Sequence, residues 1–245
     1  MNQINKLKIL FVFCIVASCS LSDNDDETQT LAFYLKNGIY EKGAVIACAA
    51  TDKNTDDILT FFYPPEGAER FRFYETSSAE VDPNDFSNYG LTNLESTPVF
   101  NGYLRKFIIS SSIEKWIIIT FQYQNEIKIS NPIRAKQLTK PTVWNDIVDI
   151  NQERSINPIF EWPSNAFGDN DIYFQVISDA DNNLLSGTYT VQNAFQYYNT
   201  VNVVLNITTQ VPPQLLIDNF YNFTLMDVSA DNWVNLVTEK MFQVE

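Results

Sequence analysis

The stretch Lys115–Ser130, "KWIIITFQYQNEIKIS", decides the fold class. Along its first half Trp116, Ile118, Thr120 and Gln122 alternate with Ile117, Ile119, Phe121 and Tyr123, and the second set is uniformly apolar. A period of two is the spacing of a strand, whose successive side chains point to opposite faces. A helix would scatter these residues around its circumference. Asn125 then marks a tight turn into "EIKIS", so the segment reads as a hairpin whose first strand lies at the centre of a sandwich.

The pattern extends outward on both sides. Upstream, "LAFYLK", "GAVIACAAT", "DILTFFY", "ERFRFYET" and "YLRKFIIS" read as further strands, and Asn101-Gly102 in "PVFNGYLRKF" supplies another tight turn. Residues 75–97 are long and polar and read as a loop crossing between sheets. Short β-rich runs punctuated by Asn, Asp, Pro and Gly, with little helical spacing, predict an all-β chain of two tandem β-sandwiches. The boundaries fall at 31–138 for the first unit, 139–144 for a linker inside the Pro-centred stretch "QLTKPTVW", and 145–245 for the second. This linker reads as an interdomain hinge.

The second unit resembles fibronectin type III domains. In "NPIFEWPSN" the residues Phe160, Glu161, Trp162 and Pro163 match the family's second strand, with its core Trp ahead of Pro. In "LLIDNFYNFTLMDV" Leu215 stands six residues before Tyr221, as in the tyrosine-corner strand, with Phe223 and Leu225 alternating inward. The Pro and Thr usual between that Leu and Tyr are absent. The resemblance implies that Trp162 and Tyr221 are core residues first, the Tyr hydroxyl bonding back to the backbone. It leaves function open, because one sandwich fold hosts many functions.

The N-terminal end carries an address. "MNQINKLK" is basic, and Ile9–Val16 is an uninterrupted apolar segment. As a helix eight residues rise only about 12 Å, against a hydrocarbon core of about 30 Å, so the segment reads as a signal peptide over 1–18 and not as a membrane span. "VASC" resembles the bacterial lipobox, which implies cleavage before Cys19 and attachment of a diacylglyceryl group to its sulfur. The acidic run "SDNDDE" that follows resembles the export signal of Bacteroidota surface lipoproteins. Residues 19–30 then form a lipidated acidic tether, since like charges extend a linker. The resemblance implies an outer-membrane lipoprotein facing the cell exterior.

Composition removes whole classes of chemistry. The chain has no histidine, so Ser-His-Asp and Cys-His triads and His-ligated metals lack their central group. Its formal charge is −14, and loss of Lys6 and Lys8 with the leader takes this to −16. Nucleic-acid binding needs Lys and Arg against phosphates, and no basic stretch supplies them. With Cys14 in the leader and Cys19 lipidated, Cys48 is the one thiol left, and it reads as an inert strand residue within "GAVIACAAT". No cofactor is expected.

Three acidic stretches invite a metal reading. "DADNN" at Asp179–Asn183 starts like a calcium loop, but Leu184 stands where Gly is needed and Thr190 where Glu is needed. It reads as a solvated turn, as do "DPND" at Asp82–Asp85 and "DND" at Asp169–Asp171, and no metal site is assigned. A pair of carboxylates could make a glycoside hydrolase without histidine, yet most acids lie in Asn- and Ser-rich loops where solvent keeps their pKa values ordinary. The expected role is therefore a non-catalytic module that captures a glycan or a partner protein, with a purely structural subunit of a surface complex as the alternative. Aromatic residues beside polar ones are the candidate ligand contacts: Trp144 at the hinge, Tyr197 and Tyr198 in "NAFQYYNTV", and Trp233 in "DNWVN".

Overall fold

The computed structural model describes residues 29–154, 156–208 and 210–245. Cys19, the leader and most of the tether lie outside them. Among the described residues the chain is all-β apart from one short helix, α1 (Leu31–Leu35), and a 3-10 turn at Phe86–Asn88. In the first unit the strands are β1 (Tyr40–Thr51), β2 (Ile58–Tyr63), β3 (Glu69–Thr76), β4 (Tyr89–Thr92), β5 (Thr97–Val99), β6 (Leu104–Ile109), β7 (Trp116–Tyr123), β8 (Glu126–Ser130) and β9 (Ile133–Arg134). The second unit has β10 (Val143–Trp144), β11 (Asp149–Asn151), β12 (Ile159–Glu161), β13 (Asn170–Asp179), β14 (Leu184–Thr190), β15 (Ala194–Gln196), β16 (Val203–Asn206), β17 (Phe220–Ser229) and β18 (Val234–Gln243).

The first nine strands form one sheet in the order β4-β3-β7-β8-β1-β2-β6-β5, with β9 also on β7. Strand β1 is the fold line. Its first half pairs parallel to β8 and its second half antiparallel to β2, with a register shift between Lys42 and Val45. Gly43 sits there at φ +72°, a conformation that glycine adopts without cost. The sheet thereby folds over on itself, and Phe73, Ile119 and Phe121 from one half meet Phe62, Phe107 and Ile109 from the other. Phe107 stacks on Phe62 at 5.4 Å and meets Phe73 edge-on at 5.5 Å.

The hairpin that decided the fold class is present. β7 and β8 join through Gln124 and Asn125, both at positive φ, as a two-residue hairpin turn requires. The predicted apolar face of β7 lines the first core, while Ile118 on its other face packs beneath α1 with Leu31, Leu35, Tyr74 and Ile129. α1 corrects the expectation of a strand at "LAFYLK". Thr30 caps it by accepting from Phe33 N–H at 3.2 Å, and Leu31 and Leu35, four apart, bury on one side. The loop at 75–97 is likewise more ordered than expected: it carries β4 and β5, and the buried Tyr89 donates its hydroxyl to Pro83 O at 2.8 Å.

In the second unit a six-stranded sheet, β10-β18-β17-β13-β14-β16, faces a three-stranded one, β11-β12-β15. Phe160, Trp162, Tyr173, Tyr221, Phe223 and Phe242 fill the space between. Phe160 and Phe223 stack at 4.1 Å, and Trp162 meets Tyr173 edge-on at 5.2 Å. Tyr221 accepts from Leu216 N–H at 3.0 Å, so its hydroxyl bonds back to the backbone without the usual Pro and Thr.

The linker is not a hinge. The outer face of β2 and β6 packs on the other face of the six-stranded sheet, joining Leu59, Phe61 and Leu104 to Phe174, Val176, Met226 and Val237. Thr142 accepts from Thr51 N–H at 2.8 Å and donates to Val234 O at 2.8 Å, and Val143–Trp144 becomes edge strand β10 on β18. Domains move freely only where their interface is small or polar. Here the two sandwiches share an apolar layer and form one stack.

Candidate functional site

The aromatic residues singled out from the sequence do not form a site. Trp233, in the turn between β17 and β18, is fully buried in the core of the first sandwich, its indole N–H donating to Lys140 O at 2.8 Å. Tyr197 is also buried and donates its hydroxyl to Pro213 O at 2.6 Å. Neither offers a ring face to a ligand, because an aromatic side chain gains most by removing its large area from water. Trp144 is half-buried against the interdomain layer, donates to Thr51 O at 2.9 Å, and carries the Lys53 ammonium 5.7 Å from its ring centre. Tyr198 is exposed at positive φ, edge-on to Tyr197 at 4.9 Å.

The acidic stretches serve the backbone. Asp179 accepts from the N–H groups of Asp181 and Asn183 at 3.0 and 2.8 Å. Burial would raise its pKa, but the donors from Asn183 and Asp181 outweigh this and hold it below the ordinary value. Asp85 caps the 3-10 turn through Ser87 N–H at 3.0 Å. Asp169 belongs to a polar clasp between the units: Lys140 reaches it at 2.6 Å and Lys136 at 3.7 Å, while Lys136 also pairs with Asp231 at 2.6 Å. Beneath the clasp Asp227 is buried, accepting from Asn170 Nδ2 at 2.9 Å and Asn235 Nδ2 at 3.2 Å, and burial raises its pKa despite those donors.

The structure does assemble aromatic residues elsewhere. The β2–β3 and β5–β6 turns lie at the same end of the first sandwich and enclose a cleft of about 500 Å³. Tyr63 ends β2, Phe71 lies near the start of β3, and Tyr103 and Arg105 follow the Asn101-Gly102 turn. All four are half-buried, so each keeps part of its surface in the cleft. The Arg105 guanidinium lies 4.9 Å from the Phe71 ring centre, fixed by Nε to Ser96 Oγ at 2.7 Å and Nη2 to Ser96 O at 2.6 Å. The Tyr63 hydroxyl is held protonated well past neutrality, first by burial and then by the neighbouring phenols of Tyr103 and Tyr123. Rings, phenols and a fixed guanidinium thus converge, with the Glu66 carboxylate on the rim.

This constellation escaped the sequence reading. Its members are scattered over Tyr63 to Arg105, and "NG" was read only as a turn. The available signal was an aromatic residue flanking each of two turns, "FYPPEG" and "NGYLR", but only the tertiary fold sets those turns side by side.

A second, smaller crevice of about 200 Å³ opens in the interdomain layer between Ile46–Cys48 and Tyr189, Leu205 and Val228. Cys48 lines it, its thiol pushed up to about 12 by burial, which keeps it un-ionised and unreactive at neutral pH. Among the described residues no helix is long and apolar enough to cross a membrane.

No protein-family model matches the chain, and no curated protein does. Among solved structures it is similar to one described as "Biofilm associated protein - BSP domain", at 16% identity and a TM-score of 0.28, over 93% of this chain and 34% of that one. The chain therefore spans about a third of that protein's length. A second similarity is to a structure described as "Structural basis of neurohormone perception by the receptor tyrosine kinase Torso", at 13% identity and a TM-score of 0.27, covering 85% and 76% of the two chains.

Proposed function

We propose that this chain is a lipid-anchored, surface-displayed binding module that captures a glycan in the Tyr63–Phe71–Tyr103–Arg105 cleft without catalysis. The observation that carries the reading is the convergence of half-buried rings with phenol and guanidinium donors in one concave place. A sugar ring presents an apolar face that stacks on an aromatic ring and a rim of hydroxyls that need donors and acceptors. Binding sites pair an apolar lining with a few fixed polar groups in this way. Lipidation at Cys19 and the acidic tether would hold the cleft outside the outer membrane, where an oligosaccharide or an outer-membrane protein partner is met.

Affinity electrophoresis of the chain through gels containing a panel of polysaccharides tests capture. Retardation on at least one glycan, abolished by Tyr103→Ala and by Phe71→Ala, is the expected result; unretarded migration on every glycan sinks it. The anchor is tested separately by intact mass spectrometry of natively processed protein, which is expected to show acyl chains on Cys19. A structural role in a surface complex is the second reading, and the apolar layer that fuses the two sandwiches into one stiff body favours it.

A further inference from the structure

One edge of this strongly acidic molecule is built from residues without charge. Residues 182–217 contain no Asp, Glu, Lys or Arg, although the chain has 30 acids and 16 bases elsewhere. This segment includes β16, an edge strand of the six-stranded sheet. Its Val204 and Leu205, with Val191 and Val201 nearby in the chain, are exposed, Val201 at 92% and Val204 at 57%. The pairing of Thr190 with Val203 brings Val191 to the same end of the edge as Val201.

Three other edges are protected. β4 is covered by the Thr30–Gly90 bridge and by Leu91 N–H donating to Gln29 O at 3.0 Å. β5 has Pro98 at its centre, and Ala194 O in β15 accepts from Asn202 Nδ2 at 2.7 Å. These are the usual devices against edge-to-edge association. β16 has neither Pro nor charge. Its one irregularity is a bulge: Leu205 pairs with Tyr189 and Val203 with Thr190, leaving Val204 unpaired and turned outward. The bulge shortens any backbone ladder the edge could extend and offers an apolar knob instead.

We propose that this uncharged edge is where two copies of the chain associate, packing Val204 and its neighbours against the same residues of the second copy. The charge distribution selects that occupant. Repulsion between exposed charges reaches only about 8 Å at physiological ionic strength, so a molecule with net charge −14 meets its own copies most readily through an edge bare of acid. A basic partner finds no counter-charge there. A two-fold contact places each residue near its own equivalent, which valine tolerates and a charged residue does not. Exposed apolar surface without a partner is otherwise a liability.

The test is sedimentation of the purified full chain from micromolar to millimolar concentration, at low and high salt. A monomer–dimer equilibrium that strengthens with salt is expected, and Val204→Lys or Val201→Lys should weaken it at least tenfold with the melting temperature unchanged. Under a mild oxidant Val204→Cys should give a disulfide-linked dimer, while Ile108→Cys, exposed on the first sandwich, should not. A monomer at every concentration overturns the proposal and leaves the edge to a different uncharged partner. So does a dimer that ignores both lysines, one that weakens as salt is added, or equal crosslinking at position 108.

Discussion

Trp233 belongs in sequence to the second sandwich and in space to the core of the first. Its backbone bridges to Ala49, and Ala49 N–H donates to Asn232 O at 3.0 Å, so the β17–β18 turn is pinned on both sides. Trp233→Ala would leave a cavity at the junction of the two units and is expected to cost about 3–5 kcal/mol, read as a lowered midpoint in urea. A loss below 1 kcal/mol would mean that the junction collapses around the missing ring. Asp227 supports a second prediction at this scale. Burial, partly offset by the amides of Asn170 and Asn235 and by Lys140, raises its pKa in the folded state. A carboxyl raised on folding binds its proton more tightly in the native state, so the ionised form is a penalty at neutral pH that fades as pH falls through the folded pKa. Asp227→Asn keeps the acceptor oxygen and removes the charge. Its melting temperature should exceed the parent's at pH 7, and the difference should shrink on acidification; a difference that grows toward low pH would reverse this assignment. Asp169 works in the opposite sense, because its ammonium and amide donors outweigh burial and hold its pKa low. Its contribution is lost as pH falls, but it is half-exposed, and solvent screening limits each such pair to about 1 kcal/mol or less.

At the level of elements, local chemistry and tertiary context contribute unequally. The β7–β8 hairpin was legible because Asn125 favours positive φ and the flanking alternation admits one register. "LAFYLK" was not legible, since a five-residue apolar run satisfies strand and helix alike and only its docking on Tyr74 and Ile118 decides. The Tyr221 corner lies between these cases: Leu215 and Tyr221 marked it, while the missing Pro and Thr left its geometry to the fold. Tyr221→Phe removes the acceptor of the Leu216 N–H and should cost about 1 kcal/mol, measurable as a shift in unfolding midpoint without change in slope. An unchanged midpoint would show that water replaces the phenol at no cost.

Across the whole molecule the decisive feature is the apolar layer between β2, β6 and the six-stranded sheet. Two sandwiches on a free hinge would unfold in two steps. Sharing this layer, the Thr142 hydrogen bonds and the inserted Trp233, they are expected to unfold in one: calorimetry should give a single transition coincident with the loss of tryptophan fluorescence. Two resolved transitions would show that the layer contributes little. The joining of the two units also explains two of the candidate ligand residues. Trp144 at the supposed hinge and Trp233 in "DNWVN" were read as ligand contacts because they stand beside polar residues; the stacking of the two units half-buries Trp144 and inserts Trp233 into the first core.

Alternation and turn residues, acting over a few positions, settled the all-β class and the long strands of the first unit, and the fibronectin resemblance marked Trp162 and Tyr221 as core; composition alone removed histidine chemistry. Those are local properties, written in neighbouring residues and independent of how sheets later meet. The fold-back at β1, the fused interdomain layer, the cleft at Tyr63, Phe71, Tyr103 and Arg105, and the bare edge at β16 depend on which faces come into contact over long separations in the chain. Apolar burial has no direction, so the sequence marks which faces seek cover without saying which face covers which.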